Sequence, residues 1–413
     1  MATIRKFKAI RPAKEYVEKV AALPYDVMSS SEARVMVEGN PYSFLHIDRS
    51  EIDLPEGTNP YSEEVYKKAS DTLYKMIEER ILVRDSKAHL YIYELKMGDS
   101  KQTGIVACTS IDEYLDETIK KHELTRQDKE EDRINHVDYC DANTGPIFLA
   151  YGAKDSIRGI VSAWKQDNDA EYSFISEDGI GHSVWVIDDE DVADELIELF
   201  MQVDNLYIAD GHHRNASAVK VGLKRRESNL GYTGEEEFNY YLSVVFPDDE
   251  LRIFDYNRFV YDLNGNTIEG FLDKISEKFS VRESEDNIQY SPKCAKEFGM
   301  YLDGRWYCLE SKVSSDDPVK NLDVSILQDE LLYPILGIND PRVDKRIEFI
   351  GGIRGLSELE KRVCEKKGSV AFSMYPTTMR ELMAIADQGK IMPPKSTWFE
   401  PKLRSGLFIH ELK

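Results

Sequence analysis

Positive charge is scarce in this 413-residue chain: 53 Lys and Arg face 76 Asp and Glu, a formal net charge of −23. Binding duplex nucleic acid needs a basic surface that displaces counterions, so nucleic acid is not the expected partner. Docking on an anionic membrane surface is disfavoured on the same ground. Cysteine is sparse too. The five thiols (Cys108, Cys140, Cys294, Cys308, Cys364) are scattered and never form a CxxC pair. That argues against a disulfide framework or thiolate zinc site and for a reducing cytoplasm. Cys140, beside Asp141 and Asn143, is a candidate nucleophile, but no activating partner stands next to it. No stretch reaches the roughly 18 apolar residues of a membrane helix. The basic N-terminus, Met1 to Lys8, lacks the apolar core of a signal peptide. The GxxxxGKS/T phosphate loop, the protein-kinase motif set and the GxSxG elbow are all missing. Arg126 stands four residues after His122, which excludes an HExxH zinc helix, and Gly351-Gly352 with Gly355 reads as turn chemistry.

What is present suits a folded, core-forming chain. The chain is 41% hydrophobic and carries 23 Tyr and 16 Phe, enough to build real cores. Val65, Ala69, Leu73 and Met76 at helical spacing predict a helix over 62–80 with Ser62 as N-cap. His89–Met97 and Gln102–Ile111 flank Gly98-Asp99 and predict a β-hairpin. A charged helical stretch is expected over 112–139, stopped by Asn143-Thr-Gly-Pro146. Then follow a strand (Ile147–Tyr151), a helix (153–165), a hairpin (172–188), a helix (191–202) and the strand Asn205–Ala209. That strand runs into a helix ending near Arg226, with paired strands at 240–247 and 251–262 beyond it. Asn264-Gly265-Asn266 opens a second region with helices at 268–279, 323–336, 355–366 and 377–388. Its strands comprise a hairpin turning at Asp303-Gly304 and segments at 346–350 and 369–374. The pattern predicts a mixed-sheet α+β N-terminal domain, 1–262, and a smaller α+β C-terminal domain, 263–413.

Four segments carry the chemistry. In Asp210-Gly-His-His-Arg214 a strand meets a helix through a glycine. Free N–H groups at such a helix start favour an anion, and Gly211 lets a ligand approach the backbone. His212, His213 and Arg214 add donors suited to phosphate, while Asp210 is placed to hold a metal or orient a histidine. In Lys121-His-Glu-Leu-Thr125 and the residues after it, Lys129 and Arg133 share a helix face, though composition alone favours a solvated helix laced with ion pairs. The proline-stiffened stretch 392–405 offers Lys395, Lys402 and Arg404 as cations with Ser396 and Thr397 as hydroxyls. It reads as a phosphate clamp or as a strap packing Trp398 and Phe399. Pro24-Tyr25-Asp26-Val27 presents Asp26 as a base, a metal ligand or a turn residue. His46, Asp48 and Glu51 follow and add a possible second carboxylate.

Together these segments resemble a bacterial and archaeal family of unknown function, DUF1015. The resemblance rests on Pro24-Tyr-Asp-Val27, Lys121-His-Glu-Leu-Thr125 with Asp132-Arg133, Asn143-Thr-Gly-Pro-Ile147, Asp210-Gly-His-His-Arg214 and Met392-Pro-Pro-Lys-Ser-Thr-Trp-Phe-Glu-Pro-Lys402. The family name supplies no activity. The Asp-Gly-His-His-Arg turn is in addition similar to the Gly-x-x-Arg phosphate turn of the ParB/sulfiredoxin superfamily, which includes free-serine kinases. That similarity implies nucleotide phosphates at Gly211, His213 and Arg214, with Lys395, Ser396, Thr397, Lys402 and Arg404 closing over them. Asp26, Asp210 and His212 become the implied catalytic residues, with Asp210 also the implied metal ligand. Tyr25, His122, Glu123, Thr125, Lys129, Arg133 and Asn143 become the implied substrate contacts.

The function expected is thus a cytoplasmic, Mg²⁺-dependent phosphotransferase acting on a small hydroxyl metabolite, free L-serine or phosphoserine, with ADP or ATP. A phosphoserine-type phosphatase and a non-catalytic nucleotide-binding regulator use the same anion site. An acidic surface repels a free anion at long range, so capture has to be local or metal-assisted.

Overall fold

A computed structural model describes all 413 residues, which fold as two compact units. The first comprises Met1–Leu251 and Pro401–Lys413, the second Arg252–Glu400. The chain is mixed α+β.

The first unit is built on an eight-stranded mixed sheet. Its strand order is Ile119–Lys120, Leu206–Asp210, Ile147–Tyr151, Tyr240–Pro247, Ser100–Ser110, Leu90–Met97, Gly181–Ile187, Tyr172–Ile175. Most neighbours are antiparallel, as the hairpin around Gly98-Asp99 requires. Two pairs are parallel: Leu206–Asp210 with Ile119–Lys120, and Tyr240–Pro247 with Ile147–Tyr151. Alternating apolar residues of these strands, among them Ile92, Ile105, Leu149, Ile208 and Val245, form the core with Ala218 and Val219 of the helix His212–Ser228. The last residues of the chain rejoin this unit, His410–Glu411 pairing antiparallel with Ala142–Asn143.

Placement of the helix His212–Ser228 is set by small residues. Asn215, Ala216, Ser217 and Ala218 are all buried, and the short side chains let the helix Gln127–Cys140 lie close. Ser217 Oγ sits 3.0 Å from the Glu130 carbonyl oxygen. A turn further on, a Cβ at Gly222 would fall 2.5 Å from the backbone oxygen of Phe238. Nothing larger than glycine fits there without moving backbone.

The second unit holds a six-stranded antiparallel sheet in the order Phe279–Glu283, Arg305–Ser311, Glu297–Leu302, Val370–Met374, Tyr256–Val260, Ile347–Gly351. Helices Leu356–Glu365 and Ile268–Lys278 pack on it through Leu359, Val363, Phe271 and Ile275.

Three expectations change. The charged stretch 112–139 is not one helix: a helix ends at Leu115, Glu117 turns with φ 65°, and Ile119–Lys120 joins the sheet before Gln127–Cys140 begins. Ile119 is an apolar residue that the sheet edge buries, and this tertiary pairing overrides the helical pattern. The segment 251–262 does not pair with 240–247, because Tyr256–Val260 hydrogen-bonds to Ile347–Gly351 and Val370–Met374. The second unit therefore starts at Arg252 rather than after 262. The helix expected over 323–336 is regular only for Asp323–Leu327 and widens into a π-turn at Gln328–Leu332.

Gly222→Ala is expected to cost about 1–3 kcal/mol through backbone displacement, read as a lower urea midpoint at unchanged slope. An unchanged midpoint would show that the helix has room to shift.

Candidate functional site

The strand Leu206–Asp210 ends on a register irregularity between Ile208 and Asp210, and Gly211 follows at φ 91°. That left-handed conformation is open to glycine at little cost and lets the helix start at once with His212. The Asp210 carboxylate accepts the Gly211 N–H at 2.9 Å and the Lys402 ammonium at 3.0 Å, with Arg214 Nη2 at 4.0 Å. Burial alone would raise this carboxyl. Lys402 and then Arg214 outweigh burial and hold it well below the usual carboxylate range. Arg214 donates from Nη1 to the Pro146 carbonyl at 2.6 Å, while its Nε is buried without a partner. The Asn143-Thr-Gly-Pro146 stop thus anchors the arginine of the turn.

Behind Arg214 lies a cavity of about 30 Å³ lined by Tyr25, Asp48, Arg133, Asn143, Thr144 and Arg214, among others. At about 10–15 Å³ per water it has room for two or three waters or for the charged end of a small ligand. The Arg133 guanidinium stacks 4.0 Å above the Tyr25 ring and is gripped by Asp132 Oδ2, 3.0 Å from both Nε and Nη2. Asp48 faces it from the helix Leu45–Asp48 and accepts a hydrogen bond from Thr144 Oγ1 at 3.1 Å. Burial pushes the Asp48 carboxyl above its ordinary 3.8, against the opposing pull of Ser405, Arg133, Thr144 and Arg214. Two guanidinia and one carboxylate, Arg133 and Asp48 buried and the Arg214 side chain 12% exposed, therefore line one small space.

Next to the turn, His122 meets His212 edge to face, ring centroids 4.4 Å apart and planes at 89°. The parallel register of Ile119–Lys120 against Leu206 and Tyr207 explains the meeting. Continued along the chain, it carries His122 to the strand end where His212 opens the helix. Burial pushes His122 down to about 4, and pushes His212 well below its ordinary value. His213 is lowered too, again by burial, and its Nε2 accepts the Arg126 N–H at 3.0 Å. Burial thus disfavours the charged form of all three imidazoles. Cations at the site are Arg133, Arg214 and Lys402.

These are the motifs on which the resemblance rested, and a family model for proteins of unknown function, DUF1015, matches residues 4–325. The chain belongs to the DUF1015 family. Comparison with curated proteins gives no match. Among solved structures, the chain is similar to a point-mutant free serine kinase in complex with ADP, at 16% identity and a TM-score of 0.37. That match covers 75% of this chain and 92% of the other. It is similar to a conserved hypothetical protein from Pyrococcus furiosus, at 17% identity and a TM-score of 0.34, covering 74% and 95%. A third is SbnI with a C-terminal truncation from Staphylococcus aureus, at 12% identity and a TM-score of 0.38, covering 74% and 87%. No residue role follows from likenesses of this size.

In this DUF1015 chain, Tyr25, Arg133, Asn143 and Arg214 line one cavity, and Asp210, Gly211, His212 and Lys402 adjoin it at the turn. Asp26 is exposed, and its charge acts on Arg214 and His213. Asn143 is largely structural, its Oδ1 accepting the Leu242 N–H at 3.3 Å and lying 3.2 Å from His410 Nδ1. Other expected residues have different occupations. Lys129 donates to the Tyr61 hydroxyl at 2.8 Å, and Thr125 Oγ1 donates to Glu130 at 2.7 Å. Arg404 is buried and held by Asp178 at 2.6 Å and Ser176 at 2.9 Å. Lys395, Ser396 and Thr397 belong to the second unit. There Lys395 Nζ lies 5.6 Å from the Tyr256 ring centroid, and Ser396 Oγ donates to the Pro393 carbonyl at 2.6 Å. Cys140 is buried and its thiol pushed up by burial, which removes it as a nucleophile.

Mg²⁺ does not fit at Asp210. Both carboxylate oxygens already serve N–H donors, and a dication there would face Lys402 and Arg214. Residues that sequence reasoning weighed least are Asp48, mentioned only as a second carboxylate, and Thr144, hidden in the Asn-Thr-Gly-Pro stop. Lys402→Met, which leaves Asp210 without its nearest counter-charge, is expected to lower stability by about 1–3 kcal/mol. Chemical denaturation at neutral pH checks this. Equal stability would mean that Arg214 alone neutralises the carboxylate.

Proposed function

We propose that this chain is a phosphotransferase for a small zwitterionic hydroxy amino acid, free L-serine, with ADP or ATP as phosphoryl donor and the reverse transfer from phosphoserine available at the same site. One observation carries the reading: Arg133, Arg214 and Asp48 line a single small cavity. A zwitterion needs an anion receptor and a cation receptor side by side, and desolvated guanidinia bind carboxylate or phosphate oxygens in pairs. Asp48 takes the substrate ammonium. Arg133 and Arg214 take its carboxylate or, in the reverse direction, its phosphate.

The turn at Gly211 supports phosphate beside this pocket, since the helix His212–Ser228 offers its first N–H groups there. In the forward direction the serine hydroxyl loses its proton to Asp26, the exposed carboxylate whose charge already bears on Arg214. The oxygen bonds to the terminal phosphorus of the nucleotide as the bridging P–O bond breaks, leaving AMP from ADP or ADP from ATP. Little covalent chemistry is asked of the protein; positioning and charge do the work. Mg²⁺, carried on the nucleotide phosphates, supplies counter-charge to them when bound.

Serine incubated with ADP or ATP is expected to give phosphoserine by mass spectrometry, with a loss of about 100-fold or more in Arg214→Ala. No phosphoserine with either nucleotide, in either direction, would end the kinase reading, and phosphate release from phosphoserine without nucleotide would replace it with a phosphatase. A second expectation concerns pH. Asp48 faces Arg133, Arg214, His136 and Cys140, and burial holds its carboxyl above the ordinary value. Ammonium binding needs Asp48 ionised, so KM for serine should fall as pH rises through that raised value. Asp48→Asn should raise KM and flatten the profile; an unchanged profile would remove Asp48 from the site.

A further inference from the structure

Buried imidazole nitrogens without hydrogen-bond partners are costly, and native structures rarely leave several in one place. Here neither ring nitrogen of His122 has a partner of good geometry, nor does Nε2 of His212. The two residues are only 1% and 6% exposed, so bulk solvent does not reach them. Beside them stands Glu123, and one ligand atom from each of His122, Glu123 and His212 lies within 4.8 Å of the others. We propose that these three residues form a site for one divalent first-row transition ion, with Zn²⁺ as the representative case.

The chemistry of the donors selects the metal. Two imidazoles and one carboxylate suit Zn²⁺ and its neighbours, whereas Mg²⁺ takes oxygen ligands and keeps its waters. Ligand distances of 2.0–2.1 Å in a tetrahedral site put ligand atoms about 3.4 Å apart. Closing from 4.8 Å takes about an ångström of side-chain rotation. Three protein ligands leave one position open, next to the turn that carries Arg214. The site differs from the Asp210 ligand and Mg²⁺ first expected, and it does not depend on the phosphoryl-transfer reading, because binding can be measured without turnover.

The test uses the full chain stripped with a chelator, titrated with Zn²⁺ by calorimetry and with Co²⁺ by visible absorption. One equivalent of Zn²⁺ should bind, Co²⁺ should give the intense bands of a four- or five-coordinate ion, and thermal stability should rise with metal. His122→Ala and His212→Ala should each weaken binding by about 100-fold, and the less buried Glu123→Gln by about 10-fold with the fold intact. His46→Ala, outside the cluster, serves as the control and should leave binding unchanged. Failure to take up stoichiometric Zn²⁺ or Co²⁺ would overturn the site. So would uptake that persists in Glu123→Gln and both histidine variants, or displacement of Co²⁺ by an equal concentration of Mg²⁺.

Discussion

Charge taken out of water must be answered by charge, and the first unit is organised around that requirement at Asp210 and Arg214. The carboxylate closes a glycine turn and is only 27% exposed, so most of its hydration is replaced by protein groups. Its neutralisation comes from Lys402, 192 positions later in the chain, at 3.0 Å. This contact ties the last segment to the sheet, together with the pairing of His410–Glu411 on Ala142–Asn143. Arg214 is fixed from the other side by the Pro146 carbonyl. With both ends held, the helix His212–Ser228 presents its first turn at a defined place.

The same economy runs through the pocket. Asp132 and Tyr25 hold Arg133 as a flat, rigid fork, which lowers the entropy lost when an anion binds. Asp48 and Thr144 complete a lining in which opposite charges face each other across a space too small for a nucleotide. The net charge of −23 then has a local meaning. Long-range steering does not favour anions, so the proposed recognition rests on two guanidinia and on short-range geometry. A zwitterion suffers less from the acidic field than a bare phosphate does.

Local signals in the sequence foretold much of this. The turn pair Gly98-Asp99 between two strand-like runs marked the hairpin, and Asp210-Gly211 marked the strand-to-helix turn, because both depend on neighbouring residues alone. What stayed hidden depends on distant ones. The partner of Asp210 is Lys402, and the partner of His122 is His212; no periodicity announces either. Residues 1–60 fold mostly as short helical turns, such as Tyr25–Val27 and Leu45–Asp48, too brief to show a repeat. Ile119–Lys120 looked helical because its charged neighbours did, and only the sheet edge makes it a strand. Arg404 shows the converse: a cation in a promising stretch is committed to Asp178 on the hairpin 172–187.

The central claim is that Arg133, Arg214 and Asp48 form one receptor for a phosphorylated or free hydroxy amino acid. A crystal structure with phosphoserine bound tests it most directly. The account predicts the ligand's acidic groups on the guanidinia of Arg133 and Arg214 and its ammonium against Asp48. A well-ordered ligand that touches none of these three side chains would contradict it.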